Sequence, residues 1–484
     1  MVFSSPVFLF LFLPLVLTLV LIVRSLKARN VLLLIFSLIF YAWGEPIFIF
    51  LALASTLMNY FLGLWVEHSD EPARRRSAVA LAIVLNIGIL AFFKYADFAV
   101  GNFNALLAAF RYRPVALPHV LLPVGISFFT FHALSYVIDV YRRKWTAAKH
   151  PADVALYIFF FPQMIAGPIL RWNAIAPQIA KRVIALPEFA EGIRRFIGGL
   201  AKKMIVANVV AIPARDIFAL HARELTPSVA WFGVLCYTLQ IYFDFSGYSD
   251  MAVGLGKMFG FEFLENFNYP YISQSIRDFW RRWHISLSTW FRDYLYIPLG
   301  GNRCSTMRNY VNLITVFFLC GLWHGASWPF VLWGLYHGLF LVLEKTQFGN
   351  LLEKMPRPLR HSYALLVVMF GWVLFRSDTV SQAMSFFSIM LGLGHVFTSA
   401  QPLARYVTNQ VLWSIGIGIL LSTPLWPKIK DLYGKMVEVT PEPLQAPTIL
   451  IGLFLEALLM VTLLVISSAW LAGGTYNPFI YYRF

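Results

Sequence analysis

The amino-acid sequence predicts an all-α protein that crosses a membrane several times. Of the 484 residues, 59% are hydrophobic and only 13% are charged, whereas charged residues make up about a quarter of a typical soluble domain. Apolar runs recur along the whole chain, and no long hydrophilic stretch separates them. A soluble protein of this size would need many more polar residues to cover its surface. We therefore expect one integral-membrane domain over residues 1–484 and exclude soluble, disordered, fibrous and disulfide-scaffold proteins.

Basic residues predict how the first spans are oriented. No Lys or Arg precedes the apolar run 7–23, and three basic residues follow it in the loop 24–30, which is not the order of a cleavable signal peptide. Three consecutive arginines at 74–76 mark the next basic loop. Cytoplasmic loops are enriched in Lys and Arg, so we expect both loops in the cytoplasm and the N-terminus outside. The net charge of +15 is interpreted in the same way, and binding to nucleic acid is not expected.

Several of the later apolar runs are short or interrupted. The runs lie near residues 31–43, 47–66, 78–96, 120–140, 154–170, 192–213, 229–259, 309–323, 328–343, 362–376, 410–425 and 448–471. A spanning helix needs about 20 apolar residues, and Gly and Pro break some runs, as at 122–125 and 166–168. Broken helices inside a membrane are tolerated where protein or water satisfies the freed backbone groups. The pattern predicts roughly ten to twelve helical segments, some re-entrant, around an interior cavity.

The segment 275–303 combines arginine and tryptophan between two spans. Ser275 followed by Asp278 is a helix-start signal of the capping-box type. The spacing of the apolar residues after it predicts one amphipathic helix that lies in the headgroup plane on the cytoplasmic side, in contact with membrane lipid. One face of that helix would carry Arg277, Arg281, His284 and Ser288.

Two interpretations of this segment remain open. It is an interfacial anchor with snorkelling arginines, or its arginines bind an anionic cytoplasmic partner. Phosphates of coenzyme A would suit the bidentate side chains of Arg277, Arg281 and Arg282, and so would an acidic carrier protein. The interpretation as an anchor does not explain why His284 lies on the same face as the arginines.

His324 ends the apolar run 309–323 between Gly321 and Gly325. An ionisable side chain at membrane depth is costly and marks function by default, and histidine suits general-base catalysis near neutral pH. The alternative is a structural histidine that hydrogen-bonds to a neighbouring helix. His337 stands in a similar local string and is a weaker candidate.

Further polar side chains interrupt the run 229–259. Asp244, Ser246 and Asp250 predict a polar cavity wall; we favour a structural network over direct catalysis and keep all three as candidate substrate contacts. The sequence has no metal-ligand spacing, no nucleophile elbow and no phosphate-binding loop. We expect no metal and no bound cofactor. Glu456 and Arg376 also lie in or near apolar runs, and the sequence leaves open whether they have buried partners.

Several strings of the sequence form a recognisable pattern: Met1–Ser5, Leu122–Phe128, Ala166–Pro168, Tyr242–Asp250, Phe279–Ser288 and Gly321–Gly325. Together they resemble the membrane-bound O-acyltransferase (MBOAT) family, and the resemblance covers most of the chain. Within the family, the sequence is most similar to the bacterial polysaccharide O-acetyltransferases that include the alginate-modifying members. The C-terminal string 477–484 resembles that of several bacterial members.

The resemblance implies a ring of helices around a funnel, with a central tunnel that joins the two sides of a bacterial inner membrane. His324 matches the catalytic histidine of the family, and His284 matches its second characteristic position. The implied reaction moves an acetyl group from a cytoplasmic thioester, acetyl-CoA, to an exopolysaccharide such as alginate. A periplasmic acetyltransferase subunit is the implied partner; cellulose, peptidoglycan and teichoic acid are alternative acceptors.

Two other functions are compatible with many broken spans. One is a transporter or flippase for a polysaccharide or lipid-linked sugar, although the two halves of the sequence show no repeat of the kind that transporters have. The other is a scaffold that recruits a periplasmic enzyme.

Overall fold

The computed structural model describes residues 1–393 and 401–473, and the described part is helical with no strand. The all-α class is thereby confirmed. The chain forms two compact units: unit 1 contains Met1–Ile193 and Ala252–Leu264, and unit 2 contains Arg194–Met251 and the described residues from Glu265 onward. His395 and the string 477–484 lie outside the described residues.

Unit 1 is built around α2, α3 and α5. Its helices are α1 (Leu13–Ile22), α2 (Leu26–Ala42), α3 (Phe48–His68), α4 (Pro72–Ala109), α5 (Ile126–Tyr141), α6 (Pro151–Phe159), α7 (Phe161–Met164) and α8 (Trp172–Ala180), after a π-helical turn at Phe8–Phe12. Helix α3 packs against α4, α5 and α6, and α2 packs against α6. A reciprocal pair of amide hydrogen bonds, 2.8 and 3.1 Å long, joins Asn59 on α3 to Asn86 on α4.

The helices α9 (Leu186–Ala201) and α11 (Pro227–Met258) each have residues in both units. The other helices of unit 2 are α10 (Asn208–Phe218), α12 (Ile276–Arg282), α13 (Ile285–Phe291), α14 (Thr306–His324), α15 (Trp328–Leu343), α16 (Gln347–Lys354), α17 (Arg357–Arg376), α18 (Val380–Met390), α19 (Asn409–Leu421), α20 (Leu425–Val439) and α21 (Glu442–Ala472). Lys202–Ala207 and Arg292–Tyr296 are π-helical, and Ala222–Glu224, Pro270–Ile272 and Leu403–Arg405 are short 3-10 turns. Helix α15 packs against α14 and α17, and α12 contacts both α15 and α17.

The lengths of the apolar helices fit a polytopic membrane protein. Among the described residues, five helical stretches are long and apolar enough to cross a membrane: Phe48–His68, Pro72–Ala109, Leu186–Phe218, Arg357–Arg376 and Glu442–Ala472. Other apolar helices are only 10–17 residues long, as the interrupted runs predict. The first basic loop is shorter than predicted, because Ser25 already caps α2, its Oγ accepting the N–H of Ala28.

Helix α21 differs from the other long helices because it has one buried residue, Ser467. Glu456, in the middle of this apolar helix, forms ion pairs with Arg194 at 3.1 Å and Lys430 at 3.6 Å. Arg376, the other charge that the sequence left open, lies over the ring of Phe218.

Candidate active site

His324 is the last residue of α14, and only 4% of its surface is exposed. Three aromatic rings pack around its imidazole. The ring centroids of Trp323, Trp333 and Phe375 lie 4.8, 5.0 and 5.1 Å from that of His324. Because Trp333 belongs to α15 and Phe375 to α17, three helices build this aromatic pocket. Apolar walls of this kind exclude water from a reacting group.

Two glycines set the position of His324. A methyl group built on Gly321 would lie 2.4 Å from the carbonyl oxygen of Phe330, and one built on Gly334 would lie 2.2 Å from that of Phe317. Only hydrogen fits at either position, so the backbones of α14 and α15 touch, as small residues allow between membrane helices. The close approach expected at Gly321 is present, and it holds His324 against Trp333.

The prediction of one continuous amphipathic helix after Ser275 is wrong. Helix α12 ends at Arg282, and α13 begins at Ile285. Between them, His284 adopts the left-handed conformation, with φ 44° and ψ 54°. This conformation redirects the chain, so His284 leaves the face of Arg277 and Arg281 and becomes buried, with 1% of its surface exposed.

Asn266 holds the turn at His284 through its side chain and its backbone. The Oδ1 atom of Asn266 is 3.0 Å from Nδ1 of His284 and accepts hydrogen bonds from the N–H and the hydroxyl of Ser286, at 3.2 and 2.9 Å. The carbonyl oxygen of Asn266 accepts the N–H of Ile285 at 2.9 Å. Burial lowers the pKa of His284 to about 3, so its imidazole is neutral at physiological pH.

Trp323 brings the two histidines into one cluster. Its ring centroid lies 4.8 Å from that of His324 and 6.2 Å from that of His284. His284 also makes an edge-to-face contact with Phe245 of α11, with 4.6 Å between the centroids. His284 and His324, which are 40 positions apart in the sequence, thus line one aromatic cluster in unit 2.

The predicted arginines do not share one environment. Arg277 and Arg281 are exposed on α12. Arg282 is half-buried, and its Nε donates to Asp278 at 2.9 Å, with a second bond to the carbonyl oxygen of Asn268 at 3.3 Å. Arg277 and Arg281 are therefore open to solvent, whereas Arg282 stabilises the turn.

Helix α12 is held by a residue that the sequence did not single out. The carboxylate of Glu344, which follows α15, accepts the backbone N–H groups of Ile276 and Arg277 at 2.5 and 2.9 Å. The hydroxyl of Tyr363 donates to the same carboxylate at 3.2 Å. A carboxylate at a helix N-terminus satisfies donors that have no partner within the helix. Glu344 thus fixes α12 to the end of α15.

Both predicted carboxylates of α11 are paired with cations. Asp244 is buried and accepts a hydrogen bond from Nζ of Lys203. Asp250 accepts from Nε of Arg195 at 2.9 Å and from Nζ of Lys202 at 2.6 Å. Ser246 is also buried, and within the described residues its hydroxyl has no hydrogen-bond partner. The pairing fits the structural network that the sequence favoured.

Sequence reasoning missed Asn266 and the aromatic pocket residues Trp333 and Phe375. Asn266 lies in a non-periodic stretch, so no local signal marks it. Trp333 had a signal, since it is one helical turn before His337 on the same face of α15. His337 is itself buried against Trp333, with 5.1 Å between the ring centroids. In the part of the chain that the structure describes, no group of three or more His, Cys, Asp or Glu is placed to hold a metal ion.

Comparison with known proteins decides the family. The model of the MBOAT, membrane-bound O-acyltransferase, family matches residues 124–387. The chain belongs to the membrane-bound O-acyltransferase family. The matched segment contains both histidines of the aromatic cluster, and membership makes the chain a multi-pass membrane enzyme that transfers acyl groups to oxygen.

The names of the relatives of this O-acyltransferase mention different acceptors. A protein of Azotobacter vinelandii named "Probable alginate O-acetylase AlgI" is 43% identical over 504 residues, which cover 100% of both chains. The "Peptidoglycan O-acetyltransferase" of Helicobacter pylori is 35% identical over 432 residues, covering 82% of this chain and 81% of that protein. The "Teichoic acid D-alanyltransferase" of Bacillus subtilis is 31% identical over 247 residues, covering 47% of this chain and 60% of that protein.

Proposed function

We propose that this O-acyltransferase moves an acetyl group from cytoplasmic acetyl-CoA across a bacterial inner membrane to an exopolysaccharide such as alginate. The observation that carries the proposal is His324, buried in an aromatic pocket within the segment that matches the family. The names of the relatives from Azotobacter vinelandii and Helicobacter pylori support acetyl as the group and a polysaccharide as the acceptor. The basic loops 24–30 and 74–76 support a periplasmic N-terminus.

In the proposed reaction, His324 is the general base. Its imidazole takes the proton of the acceptor hydroxyl while the oxygen attacks the carbonyl carbon of the thioester. A C–O bond forms, the C–S bond breaks, and the imidazolium returns its proton to the departing thiolate. In a covalent variant, the imidazole itself attacks the thioester and the acetyl group then passes to the hydroxyl. The aromatic walls limit hydrolysis of the thioester by water.

The exposed side chains of Arg277 and Arg281 are the proposed contacts for the phosphates of the donor. Guanidinium groups bind phosphate through two parallel hydrogen bonds. Replacing both by Glu is expected to raise KM for acetyl-CoA while kcat stays close to the wild-type value, because neither side chain touches the reacting atoms. The control is Arg223→Glu, which reverses the charge of one exposed arginine outside α12, on the 3-10 turn Ala222–Glu224.

The first acceptor is proposed to be a hydroxyl on the periplasmic side, either of the sugar or of a periplasmic acetyltransferase subunit. Labelling with radioactive acetyl-CoA separates the two, since transfer through the subunit leaves label on that protein before it reaches the polymer. Label found in peptidoglycan and not in the exopolysaccharide would change the proposed acceptor.

The central test is His324→Gln, which keeps a similar side-chain volume but removes the base. We expect acetyl groups on the polymer to fall at least about 100-fold, the usual scale of general-base catalysis. Acetylation is measured by NMR on polymer from cells that express equal amounts of each variant. His132→Gln is the matched control, because His132 is equally buried but lies in unit 1. Normal acetylation by His324→Gln would disprove the mechanism.

A further inference from the structure

We propose that Asn266 is a positioning residue that holds His284 in the tautomer with its proton on Nδ1, which leaves Nε2 as the basic atom that accepts a hydrogen bond from the substrate. This inference rests on the proposed function, in which His284 belongs to the active site. It concerns the tautomer of His284, and not the transfer step at His324.

The orientation of the Asn266 amide follows from one obligatory donor. The backbone N–H of Ser286 can only donate a hydrogen bond, and the side-chain atom of Asn266 that faces it at 3.2 Å must therefore be the oxygen. An amide flipped by 180° would place its own N–H group against the backbone N–H of Ser286, and neither of these groups can accept a hydrogen bond. Because the same oxygen is 3.0 Å from Nδ1 of His284, that nitrogen must carry a hydrogen.

A neutral imidazole carries one proton, so a proton on Nδ1 leaves Nε2 with a lone pair. The side chains that the structure places against His284 are uncharged: Asn266, Phe245 and Trp323. Burial alone lowers the pKa of His284, with no contribution from a carboxylate among the described residues. The second proton is therefore disfavoured, and Nε2 remains a hydrogen-bond acceptor.

The Nε2 atom has a buried position and an unmet hydrogen-bonding capacity. His284 has 1% of its surface exposed, and within the described residues Nε2 has no hydrogen-bond partner. A buried acceptor without a partner destabilises the folded protein. Its presence calls for an explanation, and a ligand that supplies the missing hydrogen bond provides one. The ligand chemistry that fits is an O–H or N–H donor, as in the acceptor hydroxyl or the amides of a pantetheine arm.

Backbone hydrogen bonds hold the turn at His284 in place. A left-handed conformation is unfavourable for a residue with a Cβ, and it persists only where surrounding contacts impose it. Here the backbone of 266–268 supplies those contacts: Asn266 accepts from Ile285 at 2.9 Å, and Asn268 donates to Arg282 at 3.0 Å. Asn266 thus fixes both the chain direction and the protonated nitrogen.

Two substitutions of Asn266 test the inference. Asn266→Ala removes the acceptor that selects the tautomer, and we expect kcat for acetyl transfer from acetyl-CoA to fall about 10- to 100-fold, the scale for residues that orient a functional histidine, with KM changed less than about twofold. Asn266→Asp keeps an acceptor for the same three donors but adds a negative charge, which raises the pKa of the neighbouring imidazole. We expect a second ionisation to steepen the acid limb of its kcat/KM profile.

The control is Thr289→Ala on α13, since within the described part of the chain the hydroxyl of Thr289 bonds to two backbone carbonyls of its own helix, at 2.8 and 3.1 Å. It should leave both kcat and the pH profile unchanged. Wild-type kcat in Asn266→Ala, or a wild-type pH profile in Asn266→Asp, would overturn the inference; if Asn266→Ala is not recovered from membranes, the profile of Asn266→Asp decides. If His324→Gln is inactive and Asn266→Ala is fully active, this inference is wrong and the proposed function stands. If His324→Gln is active, the proposed function is wrong.

Discussion

A single methyl group at Gly334 should move His324 out of its aromatic pocket. In Gly334→Ala, the new carbon would lie 2.2 Å from the carbonyl oxygen of Phe317, whereas carbon–oxygen contacts are seen from about 3.3 Å. Helices α14 and α15 must then separate by about 1 Å. A displacement of that size at a reacting group costs about 100-fold in rate. We therefore expect acetyl transfer to fall about 100-fold, while overpacking lowers stability by only about 1–3 kcal/mol.

The assay is the rate of transfer from radioactive acetyl-CoA in membrane vesicles, normalised to the amount of protein. Gly338→Ala on the same helix is the matched control. Its methyl group would lie 3.2 Å from Cδ1 of Ile314 and from Cβ of Phe317, and a shift of only a few tenths of an ångström relieves both contacts. Its activity should stay near that of the wild type. Gly334→Ala with the wild-type rate and the wild-type amount of protein would refute the role given to the helix contact.

Three further predictions concern stability, measured by thermal unfolding in detergent. Glu344→Ala should lower the free energy of unfolding by about 1 kcal/mol, because the N-terminus of α12 loses its capping carboxylate; Glu344→Gln, which keeps one acceptor oxygen, should lose less. Lys203→Met should cost about 3–5 kcal/mol by breaking the buried pair with Asp244, and adding Asp244→Leu should recover part of that loss. The pKa of His284 is lowered to about 3, so the folded state binds fewer protons than the unfolded state. The contribution of His284 to the free energy of unfolding should therefore be complete above pH 6.5. Below that pH the free energy of unfolding should fall by up to about 1.4 kcal/mol per pH unit, and His284→Gln should remove this dependence on pH.

The apolar spans could be predicted from the sequence because membrane burial constrains every residue of a helix. The runs 309–323 and 328–343 correspond to α14 (Thr306–His324) and α15 (Trp328–Leu343) within three residues at each end. His324 could be singled out for the same reason, since an ionisable group inside such a run contradicts its surroundings.

The turn at His284 could not be predicted in this way. The apolar periodicity continues through Trp283 and His284, so the pattern predicts an unbroken helix. The left-handed residue is imposed by Asn266, which lies 18 positions earlier and has no local signal. Phe375 likewise reaches the pocket only through the packing of α17 on α15. Long-range contacts of this kind are invisible to spacing rules.

The ion pairs of Glu456 fix the rotation of α21 about its own axis in the lipid. Neighbouring residues of an α-helix point about 100° apart, so shifting this carboxylate by one position would turn it from Arg194 and Lys430 toward acyl chains. Apart from Ser467, no residue of α21 is buried, although a methyl group built on Gly452 would clash with the hydroxyl of Tyr433. The rest of the sequence of α21 can therefore vary widely over evolutionary time, provided that position 456 keeps its negative charge and position 452 stays small.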